Sequence, residues 1–92
     1  MLALYTFILD YAGGTYLRQV KAGSVPAAIK KWAIGLDISY IKGIGPKAKE
    51  LLIRDLGDHQ PVAIETLTNM WCVSCIIRDK LALIHIVKTE AS

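Results

Sequence analysis

Residues 2–21, LALYTFILDYAGGTYLRQVK, decide the fold. Residues 2–10 and 15–21 are rich in aromatic and β-branched side chains and flank Gly13-Gly14. Paired glycines tolerate the positive φ that a two-residue hairpin turn demands, so the stretch reads as a β-hairpin. With Gly13-Gly14 as the loop, Tyr11 faces Tyr16, Leu9 faces Arg18 and Phe7 faces Val20. Alternation then puts Tyr5, Phe7, Leu9 and Tyr11 on one mostly apolar face. The opposite face carries Leu4, Thr6, Ile8, Asp10, Leu17, Gln19 and Lys21 and is half apolar, more than a solvated surface needs.

Downstream, Ser24 offers a helix N-cap and Pro26 lies in the first turn, where its missing N–H costs nothing. Ile29, Trp32, Ala33, Leu36 and Tyr40 follow with helical spacing, which predicts a helix over about 25–40. Lys42-Gly43-Ile44-Gly45-Pro46 breaks it. A second helix over about 46–56 presents Ala48, Leu51, Leu52 and Leu56 and stops at Gly57. Residues 58–70 read as a loop followed by a segment open to helix or extended chain. Strand-like runs at 71–77 and 81–88 predict a second hairpin. A loop at Asp79-Lys80 groups Trp71, Val73, Cys75 and Ile77 with Ala82, Ile84 and Ile86 on one apolar face. The expected architecture is α+β in the order ββααββ: one domain over residues 1–92, its antiparallel sheet of two hairpins covered on one face by two helices.

Composition bounds the function. The chain has 92 residues, 53% of them apolar and 21% charged, with Gly 7, Pro 3 and Cys 2. That excludes disordered, collagen-like and disulfide-scaffold classes. No run reaches the roughly 20 apolar residues of a spanning helix, and Met1–Leu9 lacks the features of a signal peptide, so no membrane association is expected. Cys72 and Cys75 are accordingly expected in a reducing cytoplasm. The net charge is +3 but uneven. From Arg18 to Arg54 eight basic residues face two acids, whereas the rest of the chain has three basic residues and six acids.

Ile41-Lys42-Gly43-Ile44-Gly45-Pro46-Lys47, followed by Ala48, Leu51 and Leu52, resembles the helix-hairpin-helix motif of DNA-binding and DNA-repair proteins. The resemblance covers about twelve residues. It implies that backbone amides of the glycine turn and the following helix N-terminus hold a backbone phosphate without reading bases. Lys42, Gly43, Gly45, Lys47 and Lys49 are then the binding residues. The family commonly has a small residue where this chain has Lys49, so that lysine must snorkel out of a helix contact. Residues 4–34 are also similar to the opening of HicB-like antitoxin domains, without that group's third strand before the helix.

Other chemistry is not expected. Cys72-Val73-Ser74-Cys75 has CxxC spacing, but on a strand residues three apart point to opposite faces. Cys72, Ser74 and His85 share a face, yet neither a carboxylate nor an oxyanion turn accompanies them. The acids show no paired spacing, and no P-loop or dinucleotide fingerprint is present. The sequence therefore predicts no catalytic residue, metal or cofactor. It predicts a non-enzymatic binding or regulatory module forming a homodimer through the second sheet face, with Leu4, Ile8, Leu17, Ile76, Leu81, Leu83 and Val87 as contacts. Nucleic-acid backbone binding through the 41–54 turn and helix is the alternative. Neither reading names a small-molecule ligand.

Overall fold

A computed structural model describes residues 2–58, 62–63 and 69–89. Strands β1 (Ala3–Tyr11) and β2 (Gly14–Ala22) form the first hairpin. Helix α1 (Val25–Ile34), a 3-10 turn (Ile38–Tyr40) and helix α2 (Pro46–Asp58) follow. A two-residue strand β3 (Val62–Ala63) then precedes β4 (Met70–Ile77) and β5 (Lys80–Thr89). The ββααββ order holds with β3 as an addition, and all strands lie antiparallel in one sheet, β2-β1-β5-β4-β3. The expected loop and undecided segment over 58–70 fall largely outside the described residues; within it Asp58 ends α2, Val62–Ala63 pairs with β4, and Met70 opens β4.

Both hairpins turn one residue earlier than the sequence suggests. Tyr11 pairs with Gly14, which leaves Ala12-Gly13 as the loop, and Ile77 pairs with Lys80, which leaves Arg78-Asp79. All four loop residues have positive φ, at +49°, +83°, +50° and +66°, as a type I′ turn requires. Each correction moves the register by two residues, so every side chain keeps its expected face. The open-face pairs explain the preference. The observed register sets Asp10 against Thr15, Thr6 against Gln19 and Ile8 against Leu17, like against like. Thr15 Oγ1 donates to Asp10 Oδ1 at 2.7 Å, and Gln19 Nε2 donates to Thr6 Oγ1 at 2.9 Å. In the second hairpin the same slip gives Trp71 an Ile86 partner in place of Lys88.

The hairpins join because β1 and β5 pair at the centre of the sheet. Phe7, Leu9, Ala82, Ile84 and Ile86 are wholly buried there, and both helices lie on that side. Trp32 stacks on Phe7 with ring centroids 5.1 Å apart. Ile29, Trp32, Ala33, Ala48, Leu52 and Leu56 are buried as the helical spacing predicts. Tyr11 ties the hairpins together by donating its buried hydroxyl to Ile77 O at 2.9 Å.

The first helix is shorter than expected. Ser24 caps it, accepting from the Ala27 N–H at 3.3 Å, but it ends at Ile34 rather than near 40. The ladder breaks where the Arg18 guanidinium donates to Trp32 O at 2.9 Å and Leu36 N–H turns to Ala33 O; Gly35 leaves room for this, since a Cβ there would lie 2.5 Å from the guanidinium. The strand thus supplies the cation that caps the helix C-terminus. Beyond this stop the helical phase is lost, and Tyr40 is 77% exposed instead of buried. On α2, Leu51 is exposed rather than buried, and Gly57 sits inside the last turn instead of ending the helix.

Candidate functional site

The side of the sheet facing away from the helices combines the second faces of both hairpins. Its rows run Gln19–Thr6–Val87–Met70, Leu17–Ile8–His85–Cys72 and Thr15–Asp10–Leu83–Ser74 across four strands. Leu4 lies beyond the first row, and the Leu81–Ile76 pair lies beyond the third. All seven residues expected at a self-association surface are therefore on one continuous face. Leu17, Ile76 and Leu81 are exposed, while Leu4, Ile8, Leu83 and Val87 are half-buried by their neighbours. The separate hairpins give no hint that their outer faces merge, because the β1–β5 pairing that joins them spans most of the chain. Cys72 and His85 lie on this face with Ser74, as the alternation predicts, whereas Met70 is the member missed; its even spacing with Cys72 and Ser74 is the signal that could have placed it.

The polar groups of this face are partly satisfied from within, through the Asp10–Thr15 and Thr6–Gln19 hydrogen bonds. Cys72 is paired directly across from His85, and Ser74 from Leu83. Among the described residues no hydrogen bond links His85 to a carboxylate, and no group of three or more His, Cys, Asp or Glu side chains could hold a metal. Cys75 lies on the opposite, helix-covered side, and burial pushes its thiol up to about 11, with Asp55 adding to the rise. A thiol so disposed stays protonated and poorly nucleophilic at neutral pH. The two sulfurs of the CxxC spacing face apart.

The glycine turn is built into the core. Ile41 and Ile44 are buried, and Gly43 has φ +93° with the Tyr11 ring 3.5 Å from the position of a Cβ. Lys42 and Lys47 are exposed, and a Cβ on Gly45 would meet open space. Lys49 does snorkel: its Nζ donates to Leu36 O at 2.8 Å and bridges α2 to the segment after α1. The preceding helix ends at Ile34, and the 3-10 turn lies between it and the glycines. Asp37 caps that turn; hydrogen bonds from the Ser39 hydroxyl and N–H, with Lys49 nearby, hold its carboxyl below the usual range.

The basic run has a structural use that the charge count alone does not show. Arg18 donates to Trp32 O, Lys31 to Lys21 O at 2.8 Å, and Lys49 to Leu36 O. Three of its eight cations thus satisfy carbonyls at element ends. No helix among the described residues is long and apolar enough to cross a membrane. No family model, no curated protein and no solved structure matches the chain.

Proposed function

We propose that the chain is a non-enzymatic binding or regulatory module that self-associates by packing the open faces of two sheets. The observation that carries this reading is the continuous placement of Leu4, Ile8, Leu17, Ile76, Leu81, Leu83 and Val87 on a face that no helix among the described residues covers. Its size suits a second copy. Four strands about 4.8 Å apart, each about 30 Å long, outline roughly 570 Å². Two copies then bury about 1,100 Å² in projection and more with side-chain relief, close to the ~1,200 Å² where stable interfaces begin. Aligned sheets pack about 10 Å apart, within reach of the leucines and isoleucines of both faces. Asp10 and Thr6 each have a hydrogen-bond partner in their own chain.

Sedimentation equilibrium tests the reading. The wild type should sediment as a dimer at micromolar concentration. Leu83→Lys places two ammonium groups in the interface and weakens association by about two to three orders of magnitude. A wild-type chain that stays monomeric at several hundred micromolar overturns the proposal.

Backbone recognition of nucleic acid is the second reading, supported by the exposed Lys42 and Lys47 beside the open surroundings of Gly45. With Lys49 engaged at Leu36 O, two lysines rather than three are available, so the slope of log K against log salt should be near −2. Absence of any duplex or single-strand retardation at about 50 mM salt removes this reading.

A further inference from the structure

We propose that the free edge of β2 is a docking site for an extended, acidic peptide segment of another protein, which adds a sixth strand and inserts an apolar side chain beside Tyr40. This goes beyond self-association and uses a different part of the sheet.

In a two-residue hairpin the pair flanking the turn exchanges both hydrogen bonds, and bonded and non-bonded pairs then alternate. From the Tyr11–Gly14 pair, Gly14, Tyr16, Arg18 and Val20 direct their backbone groups to β1, and Thr15, Leu17, Gln19 and Lys21 direct theirs outward. Lys21 O is taken by Lys31 Nζ at 2.8 Å, which agrees with this alternation and closes the edge at that end. Among the described residues nothing bonds the outward N–H and C=O groups of Thr15, Leu17 and Gln19. Three donors and three acceptors at strand spacing are a template for another strand.

A cleft of about 410 Å³ adjoins the same stretch. It touches Tyr16 and Arg18, whose side chains lie on the helix side, and also Thr15 and Leu17, whose side chains lie on the open side. A cavity that meets all four runs along the strand's edge. Its other wall is formed by Trp32, Leu36, Tyr40 and Ile41. Tyr40, displaced from the predicted helix stripe, stands at the rim with 77% of its surface free. A bound strand would present alternate residues to this wall, which sets an apolar side chain between Tyr16 and Tyr40.

Charge selects the occupant. Arg18, Lys21 and Lys31 border the edge, and among the described residues Asp37 is the single acid lining the cleft. A second copy would bring the same excess of positive charge, whereas a segment with a carboxylate at its Lys21–Lys31 end is complementary. The open run from Thr15 to Gln19 matches a strand of five to seven residues.

The probe is a labelled seven-residue peptide of alternating threonine and valine, with a central phenylalanine and a terminal glutamate. Binding is measured on the Leu83→Lys background, which separates this edge from the sheet-face dimer. Amide exchange should slow at Leu17 and Gln19 and stay unchanged at Tyr16 and Arg18, whose N–H groups already bond β1. Leu17→Pro, which removes an outward N–H that β1 does not use, should weaken binding at least tenfold, as should Tyr40→Ala at an exposed position. Lys31→Glu should weaken the glutamate peptide and favour its lysine-ended counterpart. No binding up to about 1 mM overturns the proposal. So does binding indifferent to both Tyr40→Ala and Lys31→Glu, or protection of Leu17 and Gln19 by raised protein concentration alone, which would assign the edge to a second copy.

Discussion

Ala12 decides between two readings of the first hairpin by the sign of one stability change. It is exposed, so a substitution there alters backbone preference and no packing. Its φ of +49° lies in the left-handed region, where an L-residue other than Asn, Asp or Gly is disfavoured by about 1–2 kcal/mol. Ala12→Gly removes that strain but adds about 0.5–1 kcal/mol of unfolded-chain entropy, for a net gain of about 0.5–1 kcal/mol. Ala12→Asn avoids the entropy cost and creates the Asn-Gly pair that type I′ turns favour, so its gain should be at least as large. If the turn were instead at Gly13-Gly14, Ala12 would be a strand residue, and glycine there would destabilise by about 0.5–1 kcal/mol. For a chain of this length 1 kcal/mol moves the midpoint of thermal unfolding by about 4–8 °C. Thermal unfolding and urea titration at constant m-value report the change. A lower midpoint for both variants refutes the Ala12-Gly13 turn and the register built on it.

Three further outcomes follow from single contacts. Burial raises the Cys75 thiol from 9.0 to about 11, so the folded chain holds its proton at a pH where the unfolded chain has lost it. Stability from this group is intact below pH 9 and declines as pH rises towards 11, by about 1–2 kcal/mol once water access is allowed for; the Cys75→Ala variant, followed by urea unfolding at pH 7, 9 and 10, should lack this decline relative to wild type. Lys49→Met keeps the aliphatic stem but leaves Leu36 O without its donor, which should cost about 0.5–1.5 kcal/mol in urea unfolding. Gly35→Ala displaces the Arg18 guanidinium from Trp32 O and should cost about 1 kcal/mol, and the same change on an Arg18→Ala background should cost much less.

The sequence made the faces of the sheet legible but not its registers, for one physical reason. Side-chain direction repeats every two residues, so a two-residue slip leaves Phe7, Leu9, Val73 and Cys75 on the core side while every cross-strand partner changes. Local turn preference points to Gly13-Gly14 and says little for Arg78-Asp79. What outweighs it is the matching of Asp10 with Thr15 and of Trp71 with Ile86, and a pairing preference shows only when two strands are read together. The end of α1 was hidden in the same way. Gly35 is a modest helix weakener when read locally, but it becomes a stop when Arg18, from a neighbouring strand, fills the space its missing side chain leaves. Tyr40 continued the helical spacing only by coincidence of number.

The candidate surfaces were legible in proportion to how local their cause is. The apolar excess of each hairpin's outer side follows from alternation alone, and Leu17, Ile76 and Leu81 are exposed as that alternation requires. Their union into one face needs the long-range pairing of β1 with β5, for which no short stretch of sequence carries a signal. The basic run shows the opposite failure, in which a pattern visible in composition has a cause that composition does not contain. Arg18, Lys31 and Lys49 each end on a backbone carbonyl left over where an element stops or an edge is free. These contacts orient three of the eight cations of the run without neutralising their charge. Beside Gly45, Lys42 and Lys47 are exposed, and Arg78 lines the same cavity as Gly45 and Lys47. At Lys21 the same arrangement closes one end of β2 and fixes where a further strand must stop. Part of the charge asymmetry is therefore a consequence of how this small sheet finishes a helix and an edge, since three of the eight cations in the run end on such carbonyls.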